Sequence, residues 1–447
     1  MKKTILTCIS ICFFLIASAQ EKSMNLSLKE AINYAIENSY NTKASKNDIL
    51  GAKQKVWETT ATGLPQISAA VGYQNWLKQQ ITLIPAELFG GTAGEFAEVN
   101  FSTKQSASGT VTLNQLLFDG SYLVGLQASK TYLKISKQAD EKTQLVTREA
   151  VINAYGNVLV SENSISILEG NIKILQKNYD DAKKIYENGL NEEEDVEQLE
   201  ITLGNLKSQL NSVLRLKDIA YKMLNLSLGN SVGTKLTLTD SLDSLTEMNI
   251  DLGLISEDFK YNDHIDFKIA ENDRESKRLL VKLEQSKALP TLSAYVNYGY
   301  NAYSESFTFL DSDQNYFGSS LLGVNLNIPI FSSLGRSSRT KQAKIELETA
   351  DIRLEETKQR LTLLAEQAKS EYQLSIEDYN TAKKNVGLAE RIEKKQRIKF
   401  FEGISSSFDL LQAQNQLYSQ QQNYIQSMLN VIAKKATLEN ALNLPIK

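Results

Sequence analysis

The sequence predicts a mainly α-helical chain with a small β part, written twice in one polypeptide. Three observations predict it. The stretch KIYENGLNEEEDVEQLEITL (184–203) returns as KFFEGISSSFDLLQAQNQL (399–417), aligning Tyr186 with Phe400, Gly189 with Gly403, Leu190 with Ile404, Asp195 with Asp409 and Leu203 with Leu417. Matches in register over such a distance mark an internal repeat. Two proline-free runs, 121–186 and 336–400, are each roughly 65 residues, or roughly 100 Å as helices at 1.5 Å per residue. Segments of strict apolar–polar alternation precede each run, as half-buried strands would.

From the N-terminus, Lys2 and Lys3, the apolar stretch 5–16 and Ala17-Ser18-Ala19 compose a secretory signal over 1–19, removed after Ala19 or Gln20. Both cysteines, Cys8 and Cys12, lie inside it. The mature chain is therefore expected to hold no thiol, disulfide or cysteine metal ligand. Residues 20–228 read as a first repeat and 256–447 as a second, each running helix, proline, strand, loop, strand, long helix, tip, helix. GLPQISA (63–69) returns as ALPTLSA (288–294), VTLN (111–114) as VNLN (324–327) and MLNL (223–226) as ALNL (441–444). Residues 229–255 between the repeats read as a polar linker.

The strands are identified by period two. Ile67, Ala69, Val71 and Tyr73 share one face. Leu292, Ala294, Val296, Tyr298 and Tyr300 share another, as do Leu322, Val324, Leu326, Ile328 and Ile330. Trp76, Tyr303, Phe307 and Phe309 gather toward the loop ends. An apolar face, a polar face and an aromatic rim form the pattern of a transmembrane barrel strand, although a half-buried soluble sheet shares the alternation. The loop from Lys78 to Ser106, with Phe89-Gly90-Gly91, carries no recognisable chemistry. The long helices carry narrow seams. Leu168, Ile172, Leu175, Tyr179, Ala182 and Tyr186 keep a 4,3 spacing, and Val196, Leu199, Leu203, Leu206 and Leu210 a 3,4 spacing, the a/d pattern of a coiled coil. Gln412, Gln414, Gln416, Gln420, Gln421, Gln422 and Gln426 are expected on a solvated face, the wall of a wet tunnel if the helices are wet on opposite sides.

Charged residues make up 23% of the chain, and the mean hydropathy is −0.30. Loss of Lys2 and Lys3 takes the formal charge from −4 to −6, without the clustered basic charge that nucleic acid requires. Beyond the signal there is no apolar run of about 18 residues, so any membrane segment must be β. No phosphate-binding loop and no Ser/His/acid set is present, and His264, the only histidine, is expected at the surface near a helix start. No catalytic, metal or cofactor site is expected, and no enzymatic activity.

Four strands cannot close a barrel, because an open edge in lipid leaves backbone groups unpaired at several kcal/mol each, and closed barrels begin at about eight strands. Membrane strands would therefore have to be pooled between copies. The duplicated strand–strand–long-helix order, Pro329-Ile330-Phe331 closing the fourth strand and the two glycine-to-aspartate tips resemble the TolC-type outer-membrane efflux proteins over essentially the whole mature chain. The resemblance implies a homotrimer in outer-membrane lipid of a Gram-negative bacterium, with a shared 12-stranded barrel and a helical tunnel extending into the periplasm. It implies a passive exit duct working with a periplasmic adaptor protein and an inner-membrane pump.

It also implies roles for the tips. Gly189, Leu190, Gly403, Ile404 and Ser405 fall where the family meets its adaptor. Asp195 and Asp409, with Glu194, Gln198 and Gln412, fall at the narrow periplasmic entrance. The chain departs from the best-known members in having Gln198 and Gln412 where they have further aspartates, and Ser405 where they have an arginine that locks the closed state. Each tip also has a plain structural reading. The glycines suit left-handed helix caps. The aspartates offset helix dipoles, and Asn191 with Glu194 and Ser406 with Asp409 resemble capping boxes. Glu192 and Glu193 would thicken the acidic ring or be merely solvated. A periplasmic adaptor-like coiled-coil protein is the competing reading, but an adaptor carries one hairpin beside separate β-domains, not strands between long helices twice over. A purely structural coiled coil would need no amphipathic strands.

Overall fold

The computed structural model describes residues 24–189 and 192–444. The signal segment 1–19, Leu190 and Asn191 lie outside the described residues. In chain order the elements are β1 (Met24–Leu26), α1 (Leu28–Asn38), α2 (Tyr40–Ala61), β2 (Gln66–Asn75), β3 (Thr82–Pro85), β4 (Phe96–Val99), β5 (Gln105–Phe118), α3 (Gly120–Glu187), α4 (Glu193–Leu228), β6 (Leu236–Leu238), α5 (Leu242–Met248), α6 (Ile265–Ser286), β7 (Thr291–Ser304), β8 (Tyr316–Asn327), α7 (Gly335–Phe401) and α8 (Ser407–Ala441). The fold is mainly helical and internally duplicated, and the two long helices begin and end within a residue of the proline-free runs. Two compact units divide the chain: 50–134 with 272–351, and the residues outside those two segments.

The first of these units holds an antiparallel sheet in the order β2-β5-β7-β8. Register decides what each face presents. Ile67 stands opposite Leu113, Leu113 opposite Val296, and Val296 opposite Leu322. On the other face the row runs Ser68, Thr112 and Asn297 and ends at Leu321 on β8, polar over three of its four strands. Most of the apolar face is uncovered among the described residues, and Val71 on it is 90% exposed. Near its end Tyr73 packs edge-on against Phe307 and Phe309, ring centroids 5.7 and 5.8 Å away. The fourth strand stops at Asn327, so Ile328, Pro329 and Ile330 lie beyond it. Pro329 has no N–H to give a ladder. The 78–106 loop is more ordered than its sequence suggests: β3 and β4 pair in an antiparallel hairpin.

In the other unit the core gathers side chains from α1, α3, α4, α5, α7 and α8, among them Ala31, Val158, Leu224, Leu242, Tyr372 and Met428. The segment 229–255 is part of this core and not simply a polar linker. β6 pairs in parallel with β1, Leu242 and Leu245 are buried, and two buried tyrosines bind its neighbourhood. The Tyr155 hydroxyl is 2.9 Å from Asp240 Oδ2, which also accepts the Leu28 N–H at 2.7 Å. The Tyr372 hydroxyl donates to the Asn249 carbonyl at 2.6 Å and accepts the Asp251 N–H at 2.8 Å. Its apolar spacing is too short to register as an element, and only the helices it lies against make it structure. Among the described residues, no helix is long and apolar enough to cross a membrane.

Candidate functional site

The distal ends of the long helices form two hairpins whose tips lie together. The seam residues Leu168, Leu175, Ala182, Val196, Leu199, Leu203 and Leu206 are buried in one cluster, and Phe400 and Leu410 of the second hairpin join it. Side-chain hydrogen bonds then cross between the hairpins. Asn171 Nδ2 donates to Gln421 Oε1 at 2.8 Å, and Ser407 Oγ donates to Gln198 Oε1 at 3.5 Å. Ser407, buried, and Phe408, exposed beside it, carry no signal of their own in the sequence.

Each tip turns on its glycine. Gly189 has φ of 74° and Gly403 of 70°, the left-handed conformation that a Cβ disfavours. Ile404 follows the second glycine and is 70% exposed. Ser405 is tied down, donating to Asp409 Oδ2 at 3.2 Å and to Gln396 Oε1 at 3.3 Å. Ser406 caps α8 in a full capping box: its Oγ accepts the Asp409 N–H at 3.3 Å, and its own N–H donates to Asp409 Oδ2 at 3.4 Å. The hydrogen bonds from Ser406, then that from Ser405, hold the Asp409 carboxyl below the usual aspartate range.

The first tip differs. Glu192 stands at the N-terminus of α4 and makes no side-chain cap hydrogen bond; the box expected of Asn191 and Glu194 includes Asn191, which lies outside the described residues. Glu194 accepts from Gln198 Nε2 at 3.0 Å. Glu193, Glu194 and Asp195 fill the first turn, where negative charge meets the positive helix end. Asp195 is half-buried, and Gln412 is exposed. Both tips thus present exposed acids, and the second adds exposed apolar residues at Ile404 and Phe408, an arrangement suited to attracting cations and to docking another apolar tip.

Two polar expectations fail through burial. Gln414 is 1% exposed, so it does not belong to the solvated glutamine face. It sits in the hairpin seam, without a hydrogen bond of good geometry, near the buried carboxyl of Glu393. Burial pushes the Glu393 carboxyl up, against the opposing pull of the Arg397 guanidinium 3.5 Å away. By the tip alignment these two stand where Tyr179 and Glu200 stand in the first hairpin, and there Tyr179 Oη donates to Glu200 Oε2 at 3.5 Å. His264 is 6% exposed and not a surface residue. Its Nδ1 accepts the Asp266 N–H at 3.1 Å, and burial lowers its pKa.

A family model described as outer membrane efflux protein matches residues 31–230 and 262–444. No curated protein matches the sequence. Among solved structures, the outer membrane protein VceC from Vibrio cholerae is similar at 15% identity and a TM-score of 0.71, over 94% of this chain and 97% of that one. The CmeC outer membrane channel of Campylobacter jejuni is similar at 16% identity and a TM-score of 0.71, over 95% and 90%. The open state of the MtrE outer membrane channel of Neisseria gonorrhoeae gives 16% and 0.70, over 93% and 88%.

Proposed function

The chain belongs to the outer membrane efflux protein family, and from that premise we propose that it is the outer-membrane exit duct of a tripartite efflux or secretion system. Three copies pool their strands into one 12-stranded barrel in the outer membrane of a Gram-negative bacterium. Residues 20–228 and 256–447 act as two structural repeats per copy, so six hairpins line a periplasmic entrance. A periplasmic adaptor protein docks on the tips at Gly189, Leu190, Gly403, Ile404 and Ser405, and an inner-membrane pump supplies the driving force. The duct conducts passively and catalyses nothing.

The observation that carries this reading is the four-stranded sheet. One face is apolar and exposed, the other largely polar, and among the described residues β2 and β8 each leave an edge unpaired. Such a sheet in lipid must find its missing neighbours in other copies, because unpaired backbone groups there cost several kcal/mol each. In a trimer Asp195 and Asp409 become rings of like charge at the entrance, with Glu194, Gln198 and Gln412 beside them. The test is the native mass of the full protein extracted in mild detergent from outer-membrane fractions. A trimer is expected; a monomer would leave the barrel unclosed and end the duct reading.

A further inference from the structure

The connection between β7 and β8, residues 305–315, turns back over the apolar face of the sheet. The last row of that face to cross all four strands runs Tyr73, Ala107, Ala302 and Tyr316, two rings with two methyl groups between them. Phe309 enters the space that the alanines leave. Its ring packs edge-on against Tyr73 with centroids 5.8 Å apart, and its carbonyl accepts from Tyr316 Oη at 2.6 Å. Phe309 is 7% exposed and Ala302 is fully buried.

The connection is held by its own hydrogen bonds. The Asp311 N–H donates to the Thr308 carbonyl at 3.0 Å, the Gln314 N–H to the Asp311 carbonyl at 3.2 Å, and Thr308 Oγ1 to Gln314 Oε1 at 2.6 Å. Phe307 packs edge-on against Phe309 and Tyr73, with centroids 5.7 Å away in each case. The side chains left outermost are apolar: Leu310 is 86% exposed and Phe307 59%. Exposed apolar side chains gathered beside an apolar face mark a contact with something apolar.

The position along the strands decides what that is. From the Leu292 row to the Ala302 row β7 runs about 33 Å at about 3.3 Å per residue. At the tilt of a membrane barrel, about 35–45°, this is about 25 Å in height, the height of the apolar band. The row of Tyr73 and Tyr316 therefore lies at the edge of the band. Glu305, Asp311 and Asp313 on the same connection are exposed. Carboxylates do not enter hydrocarbon, so they hold the segment at the level of the headgroups.

We propose that 305–315 is a lipid anchor on the outside of the barrel, with Leu310 and Phe307 entering the boundary between headgroups and acyl chains, about 5–10 Å deep. This inference rests on the reading of the apolar face as the lipid-facing one.

The test places a nitrobenzoxadiazole label on single cysteines of the full protein in phosphatidylcholine vesicles. The vesicles carry a nitroxide either on the headgroup or at the middle of the acyl chain. Cys8 and Cys12 fall in the segment expected to be removed, and the wild type is the labelling blank. The variants are Leu310→Cys, Leu322→Cys on a middle row of the apolar face, and Thr112→Cys on the polar face. Leu310 and Leu322 are both exposed, so their labels leave the packing intact. The Leu310 label is expected to lose fluorescence to the headgroup nitroxide, the Leu322 label to the chain nitroxide, and the Thr112 label to neither. A Leu310 label as bright as that at Thr112, beside a quenched Leu322 label, overturns the anchor and leaves the duct reading standing. Water or a neighbouring copy over the connection would give that result. If neither the Leu310 nor the Leu322 label is quenched, the lipid-facing surface fails and the anchor with it.

Discussion

At the scale of single residues, the two tips use the same glycine turn but secure it differently. At the second, Ser406 and Asp409 satisfy each other's backbone donors. Replacing Ser406 with Ala should destabilise the start of α8 by about 1 kcal/mol, seen as faster amide exchange at 407–410; unchanged exchange would show that the cap carries no weight. No matching loss is expected from Glu192→Ala at the first tip, because Glu192 caps without its side chain. Asp409 also has a pH consequence. Its folded carboxyl titrates below the ordinary aspartate value of 3.8, so its stabilising bonds are present above that value and are lost only as the pH falls through the lower folded one. The charge on Asp409 should therefore persist into mildly acidic solution. In planar-bilayer conductance, Asp195→Ala combined with Asp409→Ala should weaken cation preference at pH 7, and unchanged selectivity would refute the charged ring proposed for the entrance.

At the scale of the element, the second hairpin carries a flaw that the first lacks. Its seam buries Glu393 against Gln414, with Arg397 the nearest cation and Tyr418 the other titratable group facing it. Because burial raises the Glu393 pKa, its contribution to stability is fully present below the unfolded value of about 4.5 and is lost as the pH rises through the higher folded value. Glu393→Gln should therefore slow amide exchange along 390–417 at pH 7, by about five-fold if it relieves about 1 kcal/mol. The same substitution should do little at pH 4. Equal effects at both pH values would mean that packing, not ionisation, governs the site. Exposure explains the contrasting expectation for Ile404: Ile404→Glu, combined with Leu190→Glu, should abolish export while leaving membrane abundance unchanged. Lower abundance would assign the tips to folding rather than docking.

At the scale of the whole molecule, the proposed duct depends on surfaces left uncovered among the described residues. The sheet's apolar face and its two open edges are what assembly would satisfy. A charged residue at Val71, Val71→Arg, lies on the exposed apolar face and should cost about 2–4 kcal/mol if that face meets the middle of a bilayer. It should deplete the protein from outer-membrane fractions while Thr112→Arg, on the polar face, does not. Equal depletion by both would argue against a lipid-facing surface.

The sequence by itself determined the duplication, the helix limits, the four strands and their apolar face, and the coiled-coil seams, because each is a periodicity within one continuous segment. It also located both tips, since glycine spacing and acidic first turns are local chemistry. Only the tertiary structure decided which polar residues are buried. Gln414 and His264 look like surface residues in isolation and become interior ones because other helices cover them. The same holds for 229–255, whose short apolar stretches become core only against Tyr155 and Tyr372, and for the Ser407–Gln198 bond between the hairpins. The strand ending at Asn327 instead of Ile330 was open to a sequence argument through Pro329, but alternation masked it. Period and turn chemistry are written along the chain, whereas burial is a property of what the rest of the chain brings alongside.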